Sequence, residues 1–379
     1  MSVTHTTKPG GLEDVVAATS AICDVNGKEG RLFYYGLDIH DLATHSTFEE
    51  TVFLLWHGRL PTRRELEETR TELAKNRALP PDVLRMMAEL PGTAVPMEVL
   101  RTAVSLLSMY DPDDADSSRE ANVRKATRLV AQTPTIVAAI EALRKGREPL
   151  APRPDLSLAA NFLYMLFGEE QDQAAVRAMD VALILHADHE LNASTFAARV
   201  TAATLADMYS AVVSAICALK GPLHGGANEQ VFKMLQAIGS PDRAATYVKD
   251  QLAAGKKIMG FGHRVYRTED PRATILRQLS KELGEKRGEP QWYEISRQVE
   301  QTVKAEKGLY ANVDFYSAST YHNLGIPTDL FTPVFAISRM SGWTAHVLEQ
   351  YGNNRLIRPR AEYVGPRHVP YTPLDERRR

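Results

Sequence analysis

Only two of the 379 residues are cysteine. Two thiols cannot build a disulfide framework. Cys23 falls in a strand-like stretch and Cys217 inside the apolar run AVVSAICALK, so both read as buried, inert thiols of a reducing cytoplasm. Net charge is nearly absent: 45 Lys and Arg against 47 Asp and Glu leave a formal −2. Without a basic field, nucleic acid and anionic membrane are not expected partners. No apolar run is long enough to span a bilayer. The opening MSVTHTTKPGG lacks the apolar core of a secretory signal and reads as a polar tail, as does the charged DERRR at the other end. Strand signal is scarce, no segment repeats at a fixed period, and no low-complexity tract interrupts the chain. What remains is the composition of a globular protein, 44% hydrophobic and 24% charged, long enough for two domains.

Helix signals fill the chain. T-x-x-E at Thr47–Glu50 opens TFEETVFLLWHG, which Gly58 and Pro61 stop; Thr62–Glu65 opens a second helix and Ser117–Glu120 another. MEVLRTAVSLLSMY, LSLAANFLYMLFG, VRAMDVALILHADH, ADMYSAVVSAICALKG and TPVFAISRMSGWTAHVLEQYG are apolar around most of their circumference, as helices deep in a large bundle are. PDRAATYVKDQLAAG and ATILRQLSKELGEKRG are more amphipathic and read as surface helices of a smaller unit. The best strand candidates flank Asn26-Gly27 in AICDVNGKEGRLFYYGLDI, a hairpin around a turn pair. The expected architecture is all-α with a short N-terminal β-hairpin. A small domain, residues 222–328, is inserted in a large helical one formed by 1–221 and 329–379.

Five places can carry chemistry. In HADHELNAS, His186 and His189 are three apart and share a helix face. A metal pair would need a third ligand, and neither HEXXH nor a Cys/His cluster supplies one, so no metal is expected. A structural or anion-binding histidine at a helix end fits better. In GPLHGGANE, His224 precedes a helix start, where the dipole disfavours imidazolium. A neutral imidazole there can donate to a carbonyl becoming an enolate, as one does in triosephosphate isomerase; a histidine merely capping the helix explains the placement equally well. In KKIMGFGHRVYRTEDPRA, His263 follows G-F-G among Lys256, Lys257, Arg264, Arg267 and Arg272. Such a turn can cradle phosphate, although it is no P-loop. In ANVDFYSAS, Asp314 is a lone carboxylate among apolar neighbours. Desolvation would make it a stronger base, while a helix N-cap aspartate is the plainer reading. Last, Arg339 interrupts the apolar run FAISRMSGW, and with Arg272 and Arg358 it forms a set suited to carboxylates. A buried arginine needs an anionic partner, and no acid stands near Arg339 in its run. An aspartate base, a neutral histidine for an enol, a second histidine for a ketone and arginines for a di-acid describe condensation of an acyl thioester with a 2-oxo acid.

With these residues in place, the sequence resembles the citrate synthase family. GFGHRVYRTEDPR matches the family signature in full, and HADHELNAS, GPLHGGANE, NVDFYS, the SR of AISRMSGW and RPRAEYVG follow in family order, from ICDVNGKEGRLFYYG to VPYTPLDER. The resemblance implies the citrate synthase fold, a large and a small domain with the site in the cleft between them, and a homodimer that completes each site. It implies that His224 stabilises the enol of acetyl-CoA, that Asp314 removes the methyl proton, and that His263 polarises the oxaloacetate carbonyl and protonates the alkoxide. His189, Arg272 and Arg339 would bind oxaloacetate, with Arg358 reaching into the partner's site. Lys256, Lys257, Arg267, Lys304 and Lys307 are the CoA candidates. No metal or redox cofactor is implied. The segment YANVDFYSAS departs from a commoner form with proline before the asparagine and glycine after the serine, so the adjoining loop is expected to differ in shape. The chain is short for the NADH-regulated hexameric type, so a dimer without that control is expected. The rival activity is 2-methylcitrate synthesis from propionyl-CoA, one methylene away. A non-catalytic CoA-binding protein on this fold, or a hydrolase using His186 and His189, fits the retained residues less well.

Overall fold

The structure, a computed structural model, describes residues 11–12 and 15–377. Most of the N-terminal stretch read as a polar tail, and the last two arginines of DERRR, lie outside these residues. Near the N-terminus, β1 (Cys23–Asn26), β2 (Arg31–Tyr34) and β3 (Leu37–Asp38) form an antiparallel sheet in the order β1-β2-β3. Asn26 pairs with Arg31, so the turn spans four residues rather than the two that Asn-Gly suggested. The Asn26 side-chain oxygen accepts from the backbone N–H of Lys28 and Glu29, which stabilises the longer turn.

Sixteen α-helices follow among the described residues. In chain order they are α1 (Ile39–His45), α2 (Phe48–His57), α3 (Arg63–Lys75), α4 (Pro81–Ala88), α5 (Pro96–Leu107), α6 (Arg119–Arg144), α7 (Leu158–Phe167) and α8 (Gln173–His186). Then come α9 (Ala193–Ala202), α10 (Met208–Leu219), α11 (Ala227–Ile238), α12 (Pro241–Ala253), α13 (Pro271–Arg287), α14 (Gln291–Lys307), α15 (Val313–Asn323) and α16 (Phe331–Gly352). Capping explains several boundaries. Thr62 and Glu65 close a full capping box on α3. Thr47 caps α2, but Glu50 accepts from Ser46 Oγ instead of closing the box, and Gly58 ends the helix in the left-handed region. The cap of α6 is Ser118, one residue beyond the serine that the S-x-x-E spacing favoured.

α16 is buried along nearly its whole length and packs on α2, α6, α8, α9 and α10, as its apolar circumference requires. Helices α11 to α15 pack largely on one another: α12 on α14, α13 on α15, α11 on α15. They meet the other group where α13 touches α1 and α8, and where α11 touches α16. The amphipathic α12 buries only Ala244 and Val248. Cys23 is buried, whereas Cys217 is exposed, against expectation. The buried stripe of α10 runs through Met208, Val212, Ala215 and Leu219, and Cys217 sits on the face turned away from it.

Candidate active site

The first contribution comes where α8 ends. His186 is its last residue and the chain leaves the helix at Ala187, so His186 and His189 do not share a helix face as their spacing suggested. His186 turns inward, with Nδ1 2.8 Å from the Ala182 carbonyl. His189 lies beside the ring of His263, with centroids 5.1 Å apart, and its Nε2 is 3.3 Å from the Tyr266 hydroxyl. Burial first, then the nearby Arg272, holds His189 well below the usual imidazole range. Between the two histidines, Asp188 is wholly buried and pairs with His346 of α16. Tyr34 of the hairpin bonds both the N–H and the carbonyl of Asp188, so β2 anchors this segment. Among the described residues no three His, Cys, Asp or Glu side chains converge as a metal site would need.

His263 and Asp314 are brought together by a short antiparallel zipper that the sequence did not announce. Phe261 bridges Ala311, Gly262 N–H donates to the Tyr310 carbonyl, and Asn312 N–H donates to that of Gly260. The Asn312 side chain adds a bond to the Gly262 carbonyl. Gly260 has φ +81°, and a Cβ there would stand 2.8–2.9 Å from Val231 and Phe315, so only glycine fits. The loop then folds under His263. Its Nδ1 accepts from the N–H of Val265 (3.0 Å) and Tyr266 (3.1 Å), which leaves the hydrogen on Nε2 as a donor. Burial, then Arg272, lowers His263 to about 4.

Asp314 is the second residue of α15; the cap is Asn312, which accepts from Asp314 N–H. The reading of Asp314 as an N-cap therefore fails, and its carboxylate is free for other work. Its Oδ1 is enclosed without a hydrogen-bond partner in the chain. Burial is the main cause that raises it to about 7, against the opposing pull of Arg272 and Arg339. A carboxyl poised there is a base matched to neutral pH.

His224 sits in the turn before α11, two residues ahead of the cap Gly226. Burial comes first and Arg339 second among the causes that lower it to about 4; the helix start is not needed to keep it neutral. Its Nε2 faces Ser194 Oγ at 2.8 Å. That hydroxyl also receives the indole N–H of Trp343 and donates to Asn192 Oδ1 at 2.7 Å, while the Ser194 N–H donates to His224 Nε2 at 3.4 Å. With Nε2 so engaged, Nδ1 is the ring nitrogen left for a ligand.

Two buried guanidinium groups face these rings. Arg272 is paired with Asp270 through Nε (3.0 Å) and Nη2 (2.8 Å), and Asp270 also accepts from Val313 N–H. Asp270 thus joins the first turn of α13 to that of α15. Arg339 has no such partner. Its Nε donates to the His186 carbonyl at 2.7 Å, its charge lies over the Phe335 ring, and Nη1 is enclosed with no acceptor. A buried cation with an idle donor suits an anionic ligand. Phe335 also packs edge-on against His186 and His224.

Not every candidate joins this cluster. Arg358 is exposed in the irregular arm after α16, and Lys256, Lys257, Arg267, Lys304 and Lys307 are exposed as well. Lys304 lies over the Tyr310 ring, on the zipper that leads to Asp314. A cleft of about 710 Å³ between α3 and α8, lined by Arg70, Arg77, Arg177 and Asp180, holds none of the cluster residues. Sequence reasoning missed Ser194, Tyr266, Asp270, Trp343 and His346. Only Asp270 had a local signal, the Asp-Pro pair that caps a helix with proline in its first turn.

The assembled side chains can hold a di-anion on buried arginines, donate hydrogen bonds from neutral imidazoles and remove a proton with a near-neutral carboxylate. Comparison with known proteins points the same way. A family model described as citrate synthase, C-terminal domain, matches residues 11–360. Citrate synthase 2 of Bacillus subtilis is 54% identical over 97% of this chain and 98% of its own length. A 2-methylcitrate synthase of Mycobacterium tuberculosis is 43% identical over 94% of this chain and 90% of its own. The structure of Thermoplasma acidophilum citrate synthase, in a ternary complex with carboxymethyl coenzyme A and oxaloacetate, superimposes with a TM-score of 0.92 at 35% identity, covering 97% of this chain and 98% of that one.

Proposed function

The chain belongs to the citrate synthase family, and on that premise we propose that it condenses acetyl-CoA with oxaloacetate and hydrolyses the resulting thioester to citrate and CoA. The observation that carries this reading is the pairing of Asp314, a buried carboxyl raised to about 7, with an enclosed Arg339 whose Nη1 has no partner. One is a base for a weakly acidic methyl group and the other a seat for a carboxylate.

Asp314 removes the proton from the acetyl methyl group. His224 donates from Nδ1 to the thioester oxygen as it becomes an enol, which requires Nε2 to accept: the Ser194 N–H points to it at 3.4 Å, and the Ser194 hydroxyl must turn its one hydrogen from Asn192 Oδ1 to Nε2. His263 Nε2–H polarises the ketone and then supplies a proton to the alkoxide, its tautomer fixed by the two N–H groups on Nδ1. His189, Arg272 and Arg339 bind oxaloacetate. Water hydrolyses the product thioester, and the reading needs no metal or redox cofactor. The packing of α11 to α15 on one another, and the return of α16 to the larger bundle, support a small domain at 222–328 that closes on the large one. Closure would exclude water while the enol exists. Oxaloacetate binds first in this scheme, because its carboxylates draw arginines of both domains together.

A homodimer with shared sites is part of the proposal. After α16 the arm carries Tyr363 (60% exposed), Val364 (84%), Val369 (67%) and Tyr371 (83%), apolar side chains that a second copy would cover. Arg358, at the root of that arm, would then serve the partner's site. The exposed Lys256, Lys257, Arg267, Lys304 and Lys307 are candidates for the CoA phosphates. No helix among the described residues is long and apolar enough to cross a membrane, and a cytoplasmic location is proposed. Use of propionyl-CoA is the second reading, favoured by the 43% identical 2-methylcitrate synthase. Thiol release with oxaloacetate, comparing kcat/KM for acetyl-CoA and propionyl-CoA, tests both. Acetyl preference supports the main reading, propionyl preference the second, and no release from a folded protein refutes both.

A further inference from the structure

Besides Arg339 Nη1 and Asp188 Oδ1, three polar atoms are enclosed without a partner in the chain where α15, α16 and the end of α8 meet: Asp314 Oδ1, the Tyr321 hydroxyl and His186 Nε2. Tyr321 has no assigned part in the reaction scheme, yet it is fully buried. It follows Asp314 by seven residues, two helical turns, and so shares its face of α15. Helical side chains lean toward the N-terminus, which carries the tyrosine hydroxyl back toward the first turn. The His186 ring lies 6.0 Å from the Tyr321 ring, centroid to centroid. The hydrogens are complementary. His186 Nδ1 donates to the Ala182 carbonyl, so Nε2 accepts. An ionised Asp314 Oδ1 also accepts, and Tyr321 is the donor of the three. One water can donate to both acceptors and accept from the tyrosine, meeting the two to four bonds a buried water needs.

We propose that Tyr321 is a positioning residue for Asp314, its hydroxyl and His186 Nε2 holding a buried water against Asp314 Oδ1 so that Oδ2 is aimed at the substrate. The inference rests on the reading of Asp314 as the base. After burial, the Asp314 carboxylate is what raises the Tyr321 pKa, which puts the two groups within electrostatic reach. The other charged groups around Asp314 are accounted for. Arg272 and Asp270 at the start of α13 pair with each other, and Arg339 of α16 serves the ligand. Glu300 of α14 is engaged by Tyr316, Arg277 and Arg297, Glu229 of α11 by Thr332, and Asp329 by Arg144.

A hydrogen bond to the ionised carboxylate favours that form, so its loss raises the carboxyl pKa. The test is the pH profile of kcat/KM for thiol release, in the wild type, Tyr321→Phe and His186→Phe. Tyr321→Phe keeps the ring, and its acidic limb should move up by roughly one pH unit, with activity recovering at alkaline pH. His186→Phe removes the other anchor and should move the limb the same way, which keeps the idea testable if one variant does not fold. A limb that stays in place, or a rate that falls equally at every pH, overturns the proposal. Asp314→Asn separates the two layers. If it is inactive while the limb does not move, only the role of Tyr321 fails; if it turns over normally, the assignment of the base fails as well.

Discussion

Replacing Gly27 with alanine should slow the enzyme from a position far outside the ring of reacting groups. Gly27 lies in the hairpin turn, and its carbonyl accepts from Arg267 N–H at 2.8 Å. A Cβ at this glycine would stand 2.2 Å from the Val265 carbonyl oxygen and 2.8 Å from its carbon. Cβ atoms essentially never approach a neighbour closer than 3.0 Å, so hairpin and loop must part by about 0.8 Å or more. The atoms displaced are those that orient His263, because its Nδ1 accepts from Val265 and Tyr266 N–H. A misplacement near 1 Å costs up to about 10²-fold in rate, so kcat/KM should fall by about 10- to 100-fold. The loss should lie chiefly in the steps after enol formation, since His263 acts on the ketone. Steady-state thiol release with oxaloacetate and acetyl-CoA measures the loss, and circular dichroism checks the fold. Gly36→Ala is the control. Gly36 has φ +81° but no atom within 4 Å of where an alanine methyl would stand, so the substitution costs about 1–2 kcal/mol of backbone strain and leaves the loop alone. Equal rate effects from the two substitutions, or a Gly27→Ala rate within twofold of the wild type, would refute the link from hairpin to His263.

Asp314→Asn should abolish turnover yet raise stability in neutral and alkaline solution. The folded carboxyl titrates near 7, above its unfolded value, so it favours the folded state fully at low pH and loses that contribution as pH rises through 7. Thermal melts should therefore find the variant more stable at pH 8, by no more than about 4 kcal/mol, and converging with the wild type toward pH 4; a less stable variant at pH 8 would refute the buried-carboxyl account. Asp270→Asn should destabilise the fold by about 3–5 kcal/mol, because it leaves Arg272 charged and unpaired in the interior, and denaturant titration reads this directly. Arg358→Ala should weaken oxaloacetate binding without touching stability. Mixed with an Asp314 variant, it should regain activity in verified heterodimers; no rescue would refute a shared site.

Much of the architecture was legible because it rests on local chemistry. The apolar circumference of α16, the capping box of Thr62 and Glu65 and the glycine stop at Gly58 each act within a few residues of themselves. The motif residues were legible for a similar reason. Asp314 stands alone among apolar neighbours and Arg339 interrupts an apolar run, and both oddities mark groups that need an unusual environment. Readings failed where a choice between neighbours depended on distant packing: Ser118 rather than Ser117 as a cap, a four-residue turn rather than two, and Cys217 facing outward.

The sequence by itself determined the helical class, the family and which side chains are available for chemistry, since these follow from residue type and short-range spacing. Only the tertiary structure decided their states. The zipper between Gly260–Gly262 and Tyr310–Asn312 joins segments about fifty positions apart, and Asp270 ties the starts of α13 and α15. Burial of Asp314 raises its pKa and burial of the histidines lowers theirs, although neither shift is written in adjacent residues. Ser194, thirty positions earlier in α9, engages Nε2 of His224 and so leaves Nδ1 to the ligand. The physical reason is common to all of these. Desolvation and hydrogen-bond pairing depend on which surfaces meet, and that is a property of the folded chain.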